Sequence, residues 1–271
     1  MRNSYVITSG WWCGEKSERN EKRVEYGSPT IREKQFFSTW YDSINRNSSP
    51  EKILIVDSAS PTLPDLPPDA RLELLRLNEN GGHATSHVGH LSGFTRAVVA
   101  GLAYALACEV DYWVYVEQDA ILKGEGIIEY ALGNLSRGIA FGNGIGTPQP
   151  IQQSVMIVRK DHIARFINAL TGIRARDAEI SPEVKFAMAA TPLTRFLPEF
   201  IFRAPSRIEW AGRLHARLIR VFFRTLRGYD YLPYGYGRSR PIDFSQPFYY
   251  FQHGSDEELE AALSSCSPAG S

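Results

Sequence analysis

Two hydrophobic patterns alternate along the chain. Short apolar runs such as Tyr112–Val116 predict buried strands, whereas apolar residues at helical spacing, as in Phe36–Asn45, predict helices. The predicted strands are Tyr5–Thr8, Lys52–Asp57, Leu72–Leu77, Tyr112–Val116, Ile139–Gly142 and Ser154–Val158. The predicted helices are Phe36–Asn45, Ser92–Cys108, Ile127–Leu132 and Asp161–Leu170, and another begins at Ser181-Pro182. This alternation predicts an α/β fold with a mostly parallel sheet flanked by helices.

Polar residues stand at the ends of three predicted strands. Thr8 and Ser9 end the first strand, Asp57 ends the second, and Glu117 and Asp119 follow the fourth. In sheets of this kind, polar groups gather in the crevice at the carboxyl ends of the strands. We therefore expect the functional site at that edge.

The triplet Glu117-Gln118-Asp119 is the sharpest of these signals. Its two carboxylates are two residues apart, and on an extended segment this spacing places both on the same side. Like charges so close favour a divalent cation between them, and Mg²⁺ or Mn²⁺ would also bridge to diphosphate oxygens. An isolated acidic triplet is equally typical of a solvated turn after a strand.

The composition narrows the classes of function. The chain of 271 residues has 30 basic and 30 acidic side chains, and this balance gives no reason to expect nucleic-acid binding. The length suits a single α/β domain over residues 1–271. The longest apolar runs are well short of the roughly 18 residues that a membrane span needs. Cys13, Cys108 and Cys266 have neither metal-ligand spacing nor an even count, so we expect a reducing, cytoplasmic location.

Several segments, taken in order, resemble a known family. They are Asn78-Glu-Asn-Gly-Gly-His, Ser92-Gly-Phe-Thr-Arg96-Ala, Gly101-Leu-Ala-Tyr-Ala and Asp111–Asp119, preceded by the strand that ends at Asp57. In this order they resemble the nucleotide-sugar-dependent glycosyltransferases of the GT-A fold, especially the large family that includes many bacterial polysaccharide transferases. Glu117 stands where that family usually has Asp and Ala97 where it usually has Asn, so the chain resembles a divergent relative.

The resemblance implies a fold, an activity and a set of site residues. It implies a GT-A-like (Rossmann-like) domain in which residues 1–160 bind the nucleotide sugar and residues 161–271 form a helical and loop extension on the acceptor side. The implied activity is sugar transfer from a UDP- or GDP-sugar to a saccharide or lipid-linked saccharide, with Mn²⁺ or Mg²⁺ as cofactor. The implied donor-binding residues are Thr8, Ser9, Asp57, Asn78, Arg96, Glu117 and Arg240, and the implied metal ligands are Glu117, Asp119 and His253.

Two of these residues have an equally good structural interpretation. Arg96 would also serve as the partner of an acid at a strand end. His253, which follows the aromatic run Phe248-Tyr-Tyr-Phe-Gln, would also fit a surface histidine.

An inverting transferase also needs a carboxylate that takes the proton of the acceptor hydroxyl. Such bases often lie at the start of a helix after the acceptor loop, and Glu183, just after Ser181-Pro182, resembles them. Glu183 and Asp119 are therefore the predicted catalytic residues, with Glu179 and Asp177 as alternative bases. An acid in the first turn of a helix also complements the helix dipole without any catalytic role.

The last third of the chain is rich in arginine. Between Arg195 and Arg240 there are ten arginines against three acids, and those from Arg213 to Arg227 repeat at helical spacing. This stripe is typical of a solvated face on a helix that packs on the core. A basic amphipathic helix with aromatic residues also suits the surface of an anionic membrane, and so predicts peripheral membrane contact.

Two further functions compete with glycosyl transfer. A nucleotidyltransferase uses a related fold and the same metal chemistry, although Ser9-Gly-Trp-Trp-Cys-Gly is more aromatic than the loop such enzymes carry after the first strand. A non-catalytic saccharide-binding protein would also use the 12% of aromatic residues for stacking on sugars.

Overall fold

The predicted strands and helices are present in the protein. The structure is a computed structural model and describes residues 3–14, 26–87, 89–203 and 209–264, so Cys266 and Arg207 lie outside the described residues. Its strands are β1 (Tyr5–Trp11), β2 (Lys52–Asp57), β3 (Leu72–Arg76), β4 (Tyr112–Val116), β5 (Ala120–Lys123), β6 (Ile139–Asn143), β7 (Ile151–Arg159), β8 (Asp230–Tyr231) and β9 (Tyr249–Gln252). Its α-helices are α1 (Phe36–Asn47), α2 (Gly93–Ala107), α3 (Ile127–Gly133), α4 (Lys160–Gly172), α5 (Pro182–Ala190), α6 (Glu209–Leu226) and α7 (Asp256–Ser264).

The main sheet, over the residues described, has seven strands in the order β3-β2-β1-β4-β7-β6-β8. β1 pairs in parallel with β2 and β4, and β2 pairs in parallel with β3. β7 runs antiparallel to β4 and β6, and β8 pairs in parallel with β6. The predicted α/β fold with a mostly parallel sheet is thereby confirmed. Since β1 to β4 all point the same way, their carboxyl ends lie along one edge of the sheet.

The alternation of side chains along β4 shows how the sheet is covered. Trp113 and Tyr115 pack into one apolar cluster with residues of α2, α4, α5 and α6, whereas Val114 and Val116 pack into another with residues of α1 and α3. Successive side chains of a strand point to opposite faces, so one apolar run supplies both clusters. Helices therefore flank both faces, as predicted.

Helix α2 packs against β1 at Gly101. A Cβ atom at this position would lie 2.5 Å from Thr8 Oγ1 and 2.9 Å from Trp113 Nε1. Only a glycine lets the helix approach the strand this closely. The helix begins after an N-cap residue, Ser92, whose side chain accepts a hydrogen bond from the Thr95 N–H.

A second, two-stranded sheet joins the two halves of the chain. β5 and β9 pair in an antiparallel arrangement in which Ala120 faces Gln252. β5 begins directly after the acidic triplet, so this pairing fixes the segment around Gln252 beside Asp119. The sequence shows the aromatic run that forms β9, but nothing in it predicts the pairing with β5.

Helix α6 lies on the outside of the cluster that contains Trp113. Ile219 and Phe223 are its buried apolar side chains among the residues described. In the described part of the chain, α6 included, we find no helix with the length and apolar character needed to cross a membrane.

Candidate functional site

A cavity of about 810 Å³ opens at the carboxyl ends of β1, β2 and β4. Trp11 and Trp12 line it from the end of β1, and Ser58 lines it just beyond β2. Glu117 and Asp119 line it beyond β4. This is the edge of the sheet at which the topology predicts a site.

Asp119 and His253 both line the cavity and contact each other. Asp119 is 8% exposed, and its Oδ2 atom lies 3.3 Å from His253 Nε2. The other oxygen, Oδ1, accepts a hydrogen bond of 2.9 Å from Gln252 Nε2. Both contacts follow from the pairing of β5 with β9, which sets Ala120 opposite Gln252. The structure thus brings together two of the three predicted metal ligands.

The turn that carries His253 is held by a segment from the start of the chain. His253 itself has a left-handed backbone (φ 57°), and the ring of Tyr26 stacks on its imidazole with centroids 5.8 Å apart. Gly27 (φ +75°) passes so close that a Cβ atom there would lie 2.5 Å from the His253 carbonyl oxygen. The Ser28 N–H donates to the Gly254 carbonyl at 2.8 Å. Sequence analysis did not identify Tyr26, because nothing in a polar loop signals a contact with residue 253.

Gln118, between the two acids, ties the triplet to β1. Its Oε1 accepts a hydrogen bond of 2.8 Å from the Trp12 N–H, and its Nε2 donates to the Trp12 carbonyl at 3.3 Å. The Glu117 N–H donates to the Ser154 carbonyl at 2.8 Å. The triplet is therefore fixed on both sides rather than being a solvated turn.

Tyr115 lies beneath the triplet. Its hydroxyl accepts a hydrogen bond of 3.2 Å from the Gly10 N–H, and it lines the cavity. Burial, together with the negative charge of Glu117, raises the pKa of this hydroxyl well above its usual value. Tyr115 consequently stays protonated and adds a neutral polar group to the cavity floor.

We tested whether these residues fit a divalent cation. Over the ranges described, no group of three or more His, Cys, Asp or Glu side chains is placed to hold a metal ion, so the expected set of Glu117, Asp119 and His253 is not assembled as a complete ligand shell. Asp119 and His253, at 3.3 Å, are as close as two ligands of one ion. Mg²⁺ sites often use one or two protein carboxylates plus substrate phosphates and water. The pair therefore fits an ion whose other ligands come from a bound phosphate compound.

Three predicted donor-binding residues, Thr8, Ser9 and Asp57, are buried in β1 and β2. Thr8 is buried and accepts a hydrogen bond of 2.9 Å from Trp113 Nε1. Asp57 is fully buried, accepts from the Ser60 N–H at 3.1 Å and pairs with Arg76 at 3.2 Å. Ser9 is buried as well, and none of these three lines the described cavity. Their role in donor binding stays a prediction.

Two further predicted donor-binding residues, Arg96 in α2 and Asn78 in the loop after β3, also lie outside the cavity lining. Arg96 pairs with Glu79 at 2.7 Å and donates to the Leu91 carbonyl at 3.0 Å, as a bracing residue would. Asn78 is exposed, and it is Asn80, two residues later, that lines the cavity.

Of the two arginines in the loop before β9, Arg238 lines the cavity and Arg240 does not. Arg240 pairs with Glu258 and donates to the Gln252 carbonyl at 2.9 Å. Arg238 lines the cavity, and its Nε lies 3.4 Å from Gln252 Oε1. The sequence places both arginines in one loop, and the loop's path decides which of them faces the cavity.

Of the three acids considered as a base, Glu183 lines the cavity. It stands in the first turn of α5, after Ser181 and Pro182, which also line the cavity. Glu179 instead pairs with Arg203 at 3.2 Å and accepts from the Arg176 N–H at 2.8 Å.

Asp177 is buried in an ion pair with Lys185, with Nζ and Oδ1 2.7 Å apart and both side chains fully enclosed. Its Oδ2 accepts hydrogen bonds from Thr95 Oγ1 at 2.6 Å and from the Ser92 N–H at 2.8 Å. Burial alone would raise the pKa of Asp177, but the bonds from Lys185, Thr95 and Ser92 outweigh it and hold the pKa below its usual value. Asp177 joins α2 to α5 and is a structural residue.

Comparison with known proteins gives a distant structural similarity. No protein-family model matches the chain, and no curated protein sequence matches it. Among solved structures, the chain is similar to a mannosyltransferase from Pyrobaculum calidifontis in complex with GDP-mannose and Mn²⁺. The two are 14% identical, the match covers 82% of this chain and 70% of the other, and the TM-score is 0.41.

Proposed function

We propose that this protein is a glycosyltransferase that moves a sugar from a nucleoside-diphosphate donor, a UDP- or GDP-sugar, to a hydroxyl of a saccharide or lipid-linked saccharide. The observation that supports it best is the pairing of Asp119 with His253 at 3.3 Å in a cavity that also holds Glu183 and Arg238. A cation-binding pair, a carboxylate and a guanidinium in one cavity at the carboxyl ends of the strands suit this reaction.

The donor diphosphate would lie near Asp119, His253 and Arg238. A carboxylate and a neutral imidazole together suit Mn²⁺, and Asp119 alone with phosphate oxygens suits Mg²⁺. A bound cation would supply charge neutralisation for the leaving diphosphate. Arg238 offers a planar guanidinium to phosphate oxygens, which it can bind in a bidentate manner.

Glu183 is the residue proposed to accept the proton of the acceptor hydroxyl. It lines the cavity at the start of α5, and it is 8% exposed, so a bound acceptor would leave it little contact with water. The Asp177–Lys185 ion pair anchors the same helix, since Asp177 also accepts hydrogen bonds from Ser92 and Thr95 at the start of α2. The acceptor would enter between α5 and the residues at the end of β1.

The proposal is tested by incubating the protein with a panel of UDP- and GDP-sugars, with Mn²⁺, with Mg²⁺ and with EDTA. We expect slow, metal-dependent release of nucleoside diphosphate from one donor, and loss of that release in Glu183→Gln. Formation of a nucleoside triphosphate and a sugar 1-phosphate on addition of pyrophosphate, in place of nucleoside diphosphate, would identify a nucleotidyltransferase. Saccharide binding without turnover of any donor would identify a binding protein and overturn the proposal.

A further inference from the structure

Helix α6 exposes an apolar stripe on its outer side. Ile219 and Phe223 face the core, and Phe222 is partly buried beside them. The exposed stripe consists of Trp210 (64% exposed), Leu214 (50%), Leu218 (59%) and Val221 (56%). These residues are four, four and three positions apart, so they lie on one side of the helix, over about 17 Å of its length. The sequence left open a solvated face or contact with an anionic membrane here, and the structure shows that the apolar side chains beside the arginines are exposed.

A second exposed stripe, made of arginines, adjoins the first. Its members are Arg213, Arg217, Arg220 and Arg224, at spacings of four, three and four residues. At 3.6 residues per turn this stripe lies next to the apolar one, and the core-facing side lies beyond both. The only acid in the α6 sequence is Glu209, at its first position. The outer side of α6 is therefore half apolar and half cationic.

Two short 3-10 helices, Pro192–Phe196 and Glu199–Phe202, precede α6, and the second packs against it. Phe196 and Phe200 are 69% and 70% exposed. The Ile201 carbonyl lies 2.8 Å from His215 Nε2, and the ring of Phe202 lies 5.8 Å from that of Phe222. His215 and Phe222 lie on the side of α6 away from the arginines. The second 3-10 helix thus continues the apolar surface beyond the helix edge.

We propose that this surface docks on the anionic face of a lipid bilayer. We call it the α6 docking surface and define it as the apolar stripe of α6, its arginine stripe, and Phe200. The apolar side chains would enter the boundary between headgroups and acyl chains, as amphipathic helices do at membranes. The arginines would lie at the level of the lipid phosphates, which they bind well.

The charge pattern favours lipid over the other possible occupants. In a two-fold dimer the same patch contacts itself, so arginines would meet arginines with no acid on the helix between them other than Glu209. A nucleic acid would use the arginines but would leave the aliphatic side chains Leu214, Leu218 and Val221 without a hydrogen-bonding or stacking role. An anionic bilayer satisfies both stripes at once.

The α6 docking surface is linked to the cavity. Arg220 Nη1 donates to the Thr147 carbonyl at 3.0 Å, and Gln149, two residues later, lines the cavity. Docking would therefore hold the cavity wall close to the bilayer surface. Presentation of a lipid-linked acceptor to Glu183 rests on the proposed function, whereas docking itself does not.

The test is co-sedimentation of the full chain with vesicles of phosphatidylcholine alone and of phosphatidylcholine with 30% phosphatidylglycerol, at low and at raised salt. We expect binding to the anionic vesicles only, weakened by salt. Trp210→Ser combined with Leu218→Ser should weaken it at least about tenfold, and Arg217→Glu combined with Arg224→Glu about 30-fold or more. The matched controls are Leu106→Ser, an exposed leucine on α2, and Arg165→Glu, an exposed arginine on α4, which should bind as the wild type does.

Each alternative result overturns the docking proposal in a defined way. Equal binding to neutral vesicles, or no effect of the arginine reversals, excludes an anionic lipid partner. A dimer in sedimentation velocity that Trp210→Ser disrupts, without vesicle binding, makes the surface a contact between two copies. Binding of a single-stranded oligonucleotide in place of vesicles indicates a nucleic-acid surface. Nucleotide release by the same variants without vesicles reports on the proposed transferase alone, so failure of one proposal is distinguishable from failure of the other.

Discussion

The side chains of Asp119 and His253 meet with Oδ2 and Nε2 3.3 Å apart, although one follows β4 and the other follows β9, more than a hundred residues later in the chain. The link between them is the β5–β9 ribbon, which begins one residue after Asp119 and ends one residue before His253. A change in the register of this ribbon would separate the pair. The two-stranded sheet is thus the element on which the proposed cation site depends.

Replacement of Asp119 by alanine should abolish metal-dependent donor binding. The substitution removes the carboxylate that the proposed cation needs, and loss of such an electrostatic contact typically costs about 2.7–4 kcal/mol, or roughly 10²–10³-fold in rate. Calorimetry with the donor identified in the panel, with and without Mn²⁺, measures the effect. Asp42→Ala, which removes an exposed acid of α1, is the control and should bind as the wild type does. Unchanged metal dependence in Asp119→Ala would show that the triplet has no role in cation binding.

Replacement of Glu183 by glutamine should lower kcat and leave donor binding intact. Glutamine keeps the size and polarity of the side chain but cannot accept the acceptor proton, and positioned acid–base groups contribute about 10²–10⁴-fold. Steady-state kinetics gives kcat and the donor KM separately. Glu179→Gln, four residues earlier and paired with Arg203, should have kcat near that of the wild type. The opposite ranking of these two variants would assign the base to Glu179.

Replacement of Lys185 by methionine should destabilise the fold strongly. It leaves Asp177 buried without its cation, and breaking a buried pair on one side costs about 3–5 kcal/mol. Urea denaturation gives the free energy of unfolding. The double substitution Lys185→Met with Asp177→Asn removes both charges and should recover part of that loss. If Lys185→Met is as stable as the wild type, the ion pair does not contribute to the free energy of unfolding.

The same ion pair predicts how stability depends on pH. The pKa of Asp177 in the folded protein lies below its unfolded value of about 3.9, so its contribution is complete above that value and is lost as the pH falls through the folded pKa. The difference in free energy of unfolding between the wild type and the double variant should therefore be constant between pH 5 and pH 7, roughly, and shrink below about pH 4. A difference that grows on acidification would contradict the assignment. Urea denaturation across this range measures it.

Replacement of Gly101 by alanine should destabilise the protein despite the higher helix propensity of alanine. The new Cβ would lie 2.5 Å from Thr8 Oγ1, and overpacking of this kind costs about 1–3 kcal/mol. Gly133 is the last residue of α3, and a Cβ atom added there would meet no other atom within 4 Å, so Gly133→Ala should be neutral or slightly stabilising. The melting temperatures of the two variants separate the effect of the steric contact at Gly101 from the effect of helix propensity. Equal melting temperatures would mean that α2 shifts away from β1 at no cost.

Local pattern was sufficient for strands β1 to β4, β6 and β7, for helices α1 to α5, and for the edge of the sheet that carries the site. Tyr112–Val116 is apolar at every position and is a strand, and Ser181-Pro182 begins a helix because the proline suits its first turn. Parallel strands leave their carboxyl ends at one edge, so the position of Asp119 follows from the order of elements alone. These features depend on residues that are close in sequence.

Tertiary structure decided which polar residues share the cavity. Asp177 and Glu183 are six residues apart and chemically similar, yet Asp177 is enclosed with Lys185 and Glu183 lines the cavity. Arg238 and Arg240 differ in the same way, because Arg240 pairs with Glu258. These outcomes depend on partners distant in sequence, which compete for each charged group through burial and hydrogen bonding.

The orientation of α6 has the same origin. Its sequence carries apolar residues on two sides, one with Ile219 and Phe223 and another with Trp210 and Leu214. Helical periodicity determines which residues share a side, but it cannot determine which of two apolar sides is buried. Packing of Phe223 into the cluster beside Phe202 decides it, and the other side is left exposed. The sequence by itself therefore determined the helix and its two stripes, and only the tertiary contacts decided which stripe faces outward.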